Sequence, residues 1–146
     1  MSLPPAEFTV IGAGISGLLS ARMLHDRGAS VQVLERGLAG NESSWAGGGI
    51  LSPLYPWRYP EPVTRLARWG QARYPELLKR LGEESGVDPE YRPSGMLVLG
   101  REEVAPAAAW AERAGMDLEP VAAERARELE PAIAGPGEAG VWMPGV

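Results

Sequence analysis

Apolar residues change their period along this chain, and each change predicts an element. Phe8-Thr9-Val10-Ile11 is a short β-prone run, Gly12-Ala13-Gly14-Ile15-Ser16-Gly17 interrupts it, and Ile15, Leu18, Leu19 and Met23 then recur at helical spacing. Gly28 suits the left-handed position just past a helix end, and Val31-Gln32-Val33-Leu34 reads as a second strand finishing on the acid Glu35. The prediction is strand, tight glycine turn, helix, strand.

Beyond Glu35 the pattern loosens. Arg36 to Pro62 follows neither period, and its last part, Leu54 to Pro62, is rich in aromatics and proline and should be extended and stiff. Leu66, Trp69, Tyr74, Leu77, Leu78 and Leu81 trace a helical face, with Trp69 and Tyr74 expected in the core and Pro75 opening a second helix. Met96-Leu97-Val98-Leu99 reads as a buried strand. A helix follows over about Glu102 to Ala114, where Pro106 suits a first turn better than a middle. Asp117 to Pro120 is a short extended piece, Val121 to Leu129 a short helix stopped by Pro131, and Gly140 to Val146 a strand with nothing after it to pair with.

The glycine turn carries the chemistry. Gly12 lets the chain turn sharply out of the strand, Gly14 leaves no side chain between backbone and a diphosphate, and Gly17 lets the helix lie close to the strands. Unpaired N–H groups at the helix start, with the positive end of the helix dipole behind them, face an anion. Glu35, at the end of the second strand, can accept hydrogen bonds from the ribose hydroxyls of an adenosine, and an acid there disfavours a 2′-phosphate. Three glycines alone are a weak signal. Strand, helix, second strand and terminal acid in the right order supply the context that the motif needs, so dinucleotide binding is the reading, with NADP the least favoured of the dinucleotides.

Composition removes other classes. A chain of 146 residues suggests one domain with enough length to bury a core, and a net charge of −5 gives no electrostatic footprint for nucleic acid or an anionic membrane. There is no cysteine, which excludes disulfides, thiolate metal sites and a cysteinyl bond to a cofactor. The single histidine, His25, is expected to be solvated near the end of the first helix. No carboxylate pair, metal-spaced cluster or hydrolase triad stands out, so no residue is singled out as catalytic or metal-binding. Met1 to Glu7 lacks the pattern of a leader, and no segment is long enough to span a bilayer, so the expected location is cytoplasmic.

Within the aperiodic stretch, Ser43-Ser44-Trp45-Ala46-Gly47-Gly48-Gly49-Ile50-Leu51 joins hydroxyls to three successive glycines flanked by apolar residues. Such glycines let main chain approach a flat or bulky ligand, and Trp45, Ile50 and Leu51 argue against a flexible linker. In the following segment Arg58 has the geometry to pair bidentately with a carboxylate, whereas its aromatic neighbours suit either a pocket wall or a packed loop.

Together, Val10 to Gly17, Leu34-Glu35-Arg36, and Ser44 to Leu51 resemble the N-terminal part of FAD-dependent amine oxidases. The likeness is strongest to the glycine oxidase/D-amino acid oxidase family, which includes glycine oxidases serving thiamine biosynthesis. The resemblance implies an α/β fold: a Rossmann-type FAD-binding βαβ start followed by part of an α+β substrate domain, truncated. Residues 1–94 would be the FAD-binding part and 95–146 the incomplete start of the substrate domain. It further implies that Gly12, Ala13, Gly14, Ile15, Ser16 and Gly17 hold the FAD diphosphate, Glu35 the ribose, Arg36 the adenine side, and Ser43 and Ser44 the phosphates. Gly47, Gly48, Gly49, Ile50 and Leu51 would run beside the isoalloxazine ring. The family's substrate anchor lies later than Arg58.

The activity so implied is oxidation of glycine or another small (D-)amino acid or amine to the imine, with O2 as electron acceptor. The likeness covers the first part, under half, of the family's length, so the chain is expected to be a fragment or to be completed by a second chain supplying the C-terminal half. A non-catalytic dinucleotide-binding or assembly fragment is the alternative. An NAD-dependent dehydrogenase is weaker, because NAD domains usually proceed directly to another βα unit.

Overall fold

The computed structural model describes residues 5–135 and 137–146. Packing divides the chain into two compact units, one up to Ile50 and one from Leu51 to Val146.

The first unit is the predicted βαβ. Strands β1 (Phe8–Ile11) and β2 (Val31–Leu34) pair in parallel, Phe8 opposite Val31 and Ile11 opposite Leu34, with helix α1 (Ile15–His25) as the crossover. The two strands are tied at their starts, where Ser30 N–H donates to the Glu7 carboxylate at 2.8 Å and Glu7 N–H to the Ser30 hydroxyl at 3.0 Å. Gly28 has φ +87°, and its N–H donates to the His25 carbonyl, as a helix-ending glycine should. A one-turn helix α2 (Ser43–Ala46) lies in the stretch that has no period, since four residues are too few to show one. Ile11 and Leu34, paired on one face, are 86% and 53% exposed.

The second unit opens with a 3₁₀ turn, Pro56–Arg58, entered through Tyr55 in the left-handed region, so the aromatic stretch is bent and not extended. Helices α3 (Glu61–Gln71) and α4 (Tyr74–Ser85) follow, and Pro75 stands in the first turn of α4, where its missing N–H is harmless. Trp69 is 51% exposed and Leu66 70%, so neither is core; the Arg73 guanidinium stacks 3.5 Å from the Trp69 ring centre instead. Periodicity identifies a face but not what covers it.

Three antiparallel strands make the sheet of this unit, in the order β3 (Met96–Leu99), β5 (Gly140–Met143), β4 (Glu119–Val121). The last strand is thus central, and both of its partners precede it in the chain. Helix α5 (Arg101–Ala114) carries Pro106 inside it rather than in its first turn. Helix α6 (Ala123–Leu129) completes the unit. Val98, Ala107 and Val141 form one buried cluster, and Trp110, Ala111 and Met143 another, so α5 against the sheet makes the core.

Among the described residues no helix is long and apolar enough to cross a membrane.

Candidate functional site

The site is built on residues 12–15, where three segments of the first unit converge. Gly12 leaves β1 with φ +98°, a conformation that side-chain-bearing residues avoid, and its N–H still donates to the Leu34 carbonyl at 2.8 Å. The turn therefore starts from a fixed point on the sheet. Gly17 lies so close to the turn that a β-carbon there would collide with the Gly12 carbonyl, which is the close helix–strand approach read from the sequence. The first intrahelical bond of α1 runs from Leu18 N–H to Gly14 carbonyl at 2.9 Å, so the amides before it have no partner within the helix.

Glu35 binds this turn directly. Its Oε2 accepts the Ala13 N–H at 2.8 Å and its Oε1 the Gly37 N–H at 2.9 Å. The Ala13 amide and then the Gly37 amide hold the Glu35 carboxyl below the usual carboxylate range, with Arg36 adding a smaller pull in the same direction. The group is an anion at neutral pH. Each carboxylate oxygen accepting one amide retains a further lone pair for a hydroxyl.

The loop after β2 then returns to the same place. Gly40 N–H donates to the Ala13 carbonyl at 2.8 Å, and the Ser44 hydroxyl of α2 accepts the Ile15 N–H at 2.9 Å. Ser44 thus caps the start of α1 from a distant position in sequence, and its own hydroxyl hydrogen remains to be donated. A β-carbon on Gly14 would come within 3.1 Å of that hydroxyl oxygen.

Of the residues read from the sequence, Gly12, Ala13, Gly14, Ile15, Gly17, Glu35 and Ser44 are brought together. Ser16, on the first turn of α1, is exposed. Arg36 points its guanidinium to Glu42, with Nη2 to Oε1 at 2.5 Å and Nε at 3.0 Å. Ser43 and Gly47, Gly48, Gly49 and Ile50 are exposed, and Leu51 begins the second unit. Sequence reasoning does not single out Gly40 or Glu42, because one acts through its backbone and the other as a surface partner, and neither role leaves a residue-type signal. Arg58, the residue suited to a carboxylate ligand, is paired within the second unit to Glu103.

This arrangement fits an ADP moiety. A diphosphate placed there would meet the start of α1 and the small residues of the turn, with an ionised acid one hydrogen bond away.

The comparisons agree with the geometry. The chain is 45% identical to glycine oxidase of Pseudomonas aeruginosa over 94% of its own length and 38% of that protein's. Glycine oxidase of Pseudomonas putida is also 45% identical, over 96% of this chain and 38% of the relative. Among solved structures, glycine oxidase from Bacillus cereus superposes with a TM-score of 0.86 at 27% identity, over 97% of this chain and 39% of that one. The chain therefore spans well under half the length of the relatives it matches. A family model described as FAD dependent oxidoreductase matches residues 7–146, which takes in the glycine turn, Glu35 and everything after them, and the chain belongs to that family, DAO.

Proposed function

We propose that this chain is the N-terminal part of an FAD-dependent oxidoreductase that converts glycine or another small (D-)amino acid or amine to its imine, with O2 as electron acceptor. The observation that carries the reading is the bond from Ala13 N–H to Glu35, which joins the acid to the diphosphate turn. The 45% identity to two glycine oxidases supports the substrate class. Bound FAD supplies the two-electron acceptor for the amine.

The chain's own residues bind and orient. Gly12 to Gly17 form the diphosphate turn, with the helix dipole behind it and the amides other than those bonded to Leu34, Glu35 and Ser44 available to the anion, and Glu35 holds the ribose hydroxyls while remaining ionised. Ser44 and Ser43 donate to phosphate oxygens, and Arg36 turns from Glu42 toward the adenine side. Gly47 to Leu51 would run beside the flavin ring, where Gly47, Gly48 and Gly49 carry no side chain to hold it off. Residues 1–94 serve the cofactor and 95–146 begin the substrate domain, the remainder being supplied by further chain or by a second polypeptide.

The test is to add FAD to the purified chain, follow flavin absorbance, and then add glycine or a D-amino acid without oxygen. Bleaching that reverses with peroxide formation on admitting air supports the oxidase. A chain that takes up no FAD and makes no peroxide supports a non-catalytic assembly fragment instead.

A further inference from the structure

The end of β2 carries two opposed signals. An acid there selects a ribose with a free 2′-hydroxyl, whereas an arginine nearby is the residue that accommodates a 2′-phosphate. Glu35 and Arg36 are adjacent, so residue types alone leave the choice open. The structure supplies a third charge. Glu42, six positions after Arg36, takes the guanidinium with one oxygen, Nη2 at 2.5 Å and Nε at 3.0 Å from its Oε1.

Exposed ion pairs are weak as a rule, because two long side chains must give up freedom to meet. Here the backbone brings them within reach. Glu35 accepts the Gly37 N–H at 2.9 Å, which folds the chain tightly around Arg36. Gly40 N–H donates to the Ala13 carbonyl at 2.8 Å, Asn41 N–H to the Leu38 carbonyl at 3.2 Å, and the Glu42 carbonyl accepts the N–H groups of Trp45 and Ala46. Two residues beyond Glu42, the Ser44 hydroxyl holds the Ile15 N–H. Arg36 and Glu42 are therefore both mounted on a loop that is stapled to the diphosphate turn, and only their side chains remain to be ordered.

A phosphate is gripped by the N–H edge of a guanidinium, and Nε with Nη2 is the edge that Glu42 occupies. Stacking on an adenine uses the plane of the group instead and calls for no charge. At this end of the site two carboxylates, Glu35 and Glu42, stand against the one guanidinium of Arg36, so a dianionic phosphate brought there meets net negative charge that a hydroxyl does not feel. We propose that Glu42 is a positioning residue that, by holding the edge of Arg36, withholds it from a 2′-phosphate and confines the site to adenine nucleotides with a free 2′-hydroxyl, the class to which FAD belongs. This proposal rests on the dinucleotide reading given above.

The probes are ADP-ribose and its 2′-phosphate, titrated calorimetrically at one ionic strength into the full chain and into its Glu42→Gln variant. Glutamine keeps an acceptor for Arg36 and removes the charge, and Glu42 is exposed, so the fold is undisturbed. The readout is the ratio of the two Kd values, since a merely structural loss moves both together. Wild type is expected to prefer ADP-ribose, and Glu42→Gln to narrow that preference about fivefold, with the Kd for ADP-ribose itself changed less than about twofold. Adding Arg36→Gln to Glu42→Gln should return the ratio to its wild-type value. An unchanged ratio in Glu42→Gln, or a wild type that prefers the 2′-phosphate, overturns the proposal and leaves the dinucleotide reading standing. A narrowing that persists in the double variant overturns the route through Arg36. A wild type that takes up neither probe overturns the dinucleotide reading and the role of Glu42 with it.

Discussion

The carboxylate of Glu35 accepts the Ala13 amide hydrogen at 2.8 Å, so the acid at the end of β2 and the turn at the start of α1 are joined by the chain itself. Strand, turn, helix and acid are thereby tied together, and a nucleotide on the turn would lie one hydrogen bond from the acid.

Replacing Glu35 by Gln tests this join. The amide NH2 of glutamine must oppose either the Ala13 or the Gly37 N–H, both of which the carboxylate now accepts. FAD affinity should fall about tenfold, measured by quenching of flavin fluorescence, with the far-ultraviolet circular dichroism unchanged. An unaltered Kd would mean that the ribose is held elsewhere.

Gly17 and Gly28 separate two reasons for a glycine. Alanine at 17 would drive its β-carbon into the Gly12 carbonyl, whereas at 28 the space is open and only the φ of +87° resists a side chain. Gly28→Ala should cost roughly 1 kcal/mol and leave nucleotide affinity alone. Gly17→Ala should cost about 2 kcal/mol or more and also weaken FAD binding, because relief of the clash lifts α1 from the turn. Thermal melts and titrations of both variants check the contrast; equal losses of affinity would contradict it.

Ser44 gives a third handle. Ser44→Ala removes the acceptor of the Ile15 N–H, a loss of about 1 kcal/mol for a helix start, while Ser43→Ala leaves that bond intact. If Ser44 also donates to a phosphate oxygen, the alanine variant should bind FAD less tightly than Ser43→Ala does. Calorimetric titration of the two side by side decides the point.

What is legible in the sequence follows how local the signal is. The βαβ start is readable because Gly12, Gly17, Gly28 and Glu35 each mark a backbone event at a known spacing. The turn at Tyr55–Arg58 is not, because the acid that bends it, Glu103, is remote in sequence and sits on a helix whose pattern gives no sign of it. The pairing of β5 escapes for the same reason, its partners Met96–Leu99 and Glu119–Val121 being chosen by tertiary packing. Trp69 shows the limit of periodicity, since a residue on an apolar stripe is half exposed and stacked with Arg73.

Acid should loosen both units by the same mechanism. The Glu35 carboxyl is lowered first by the Ala13 amide and the Glu103 carboxyl first by the Trp57 indole and then by Arg58, so each is easier to ionise folded than unfolded. A depressed folded value means that the stabilisation is present in full above the ordinary carboxylate range and is lost as pH falls through the depressed one. Wild-type Tm should therefore drop below that range more steeply than the Tm of Glu103→Gln, which has no proton to take up at that position. The Tm gap between the two should be widest at neutral pH and close in acid. A gap that stays constant across this window would show that the Glu103 charge contributes nothing to holding the turn.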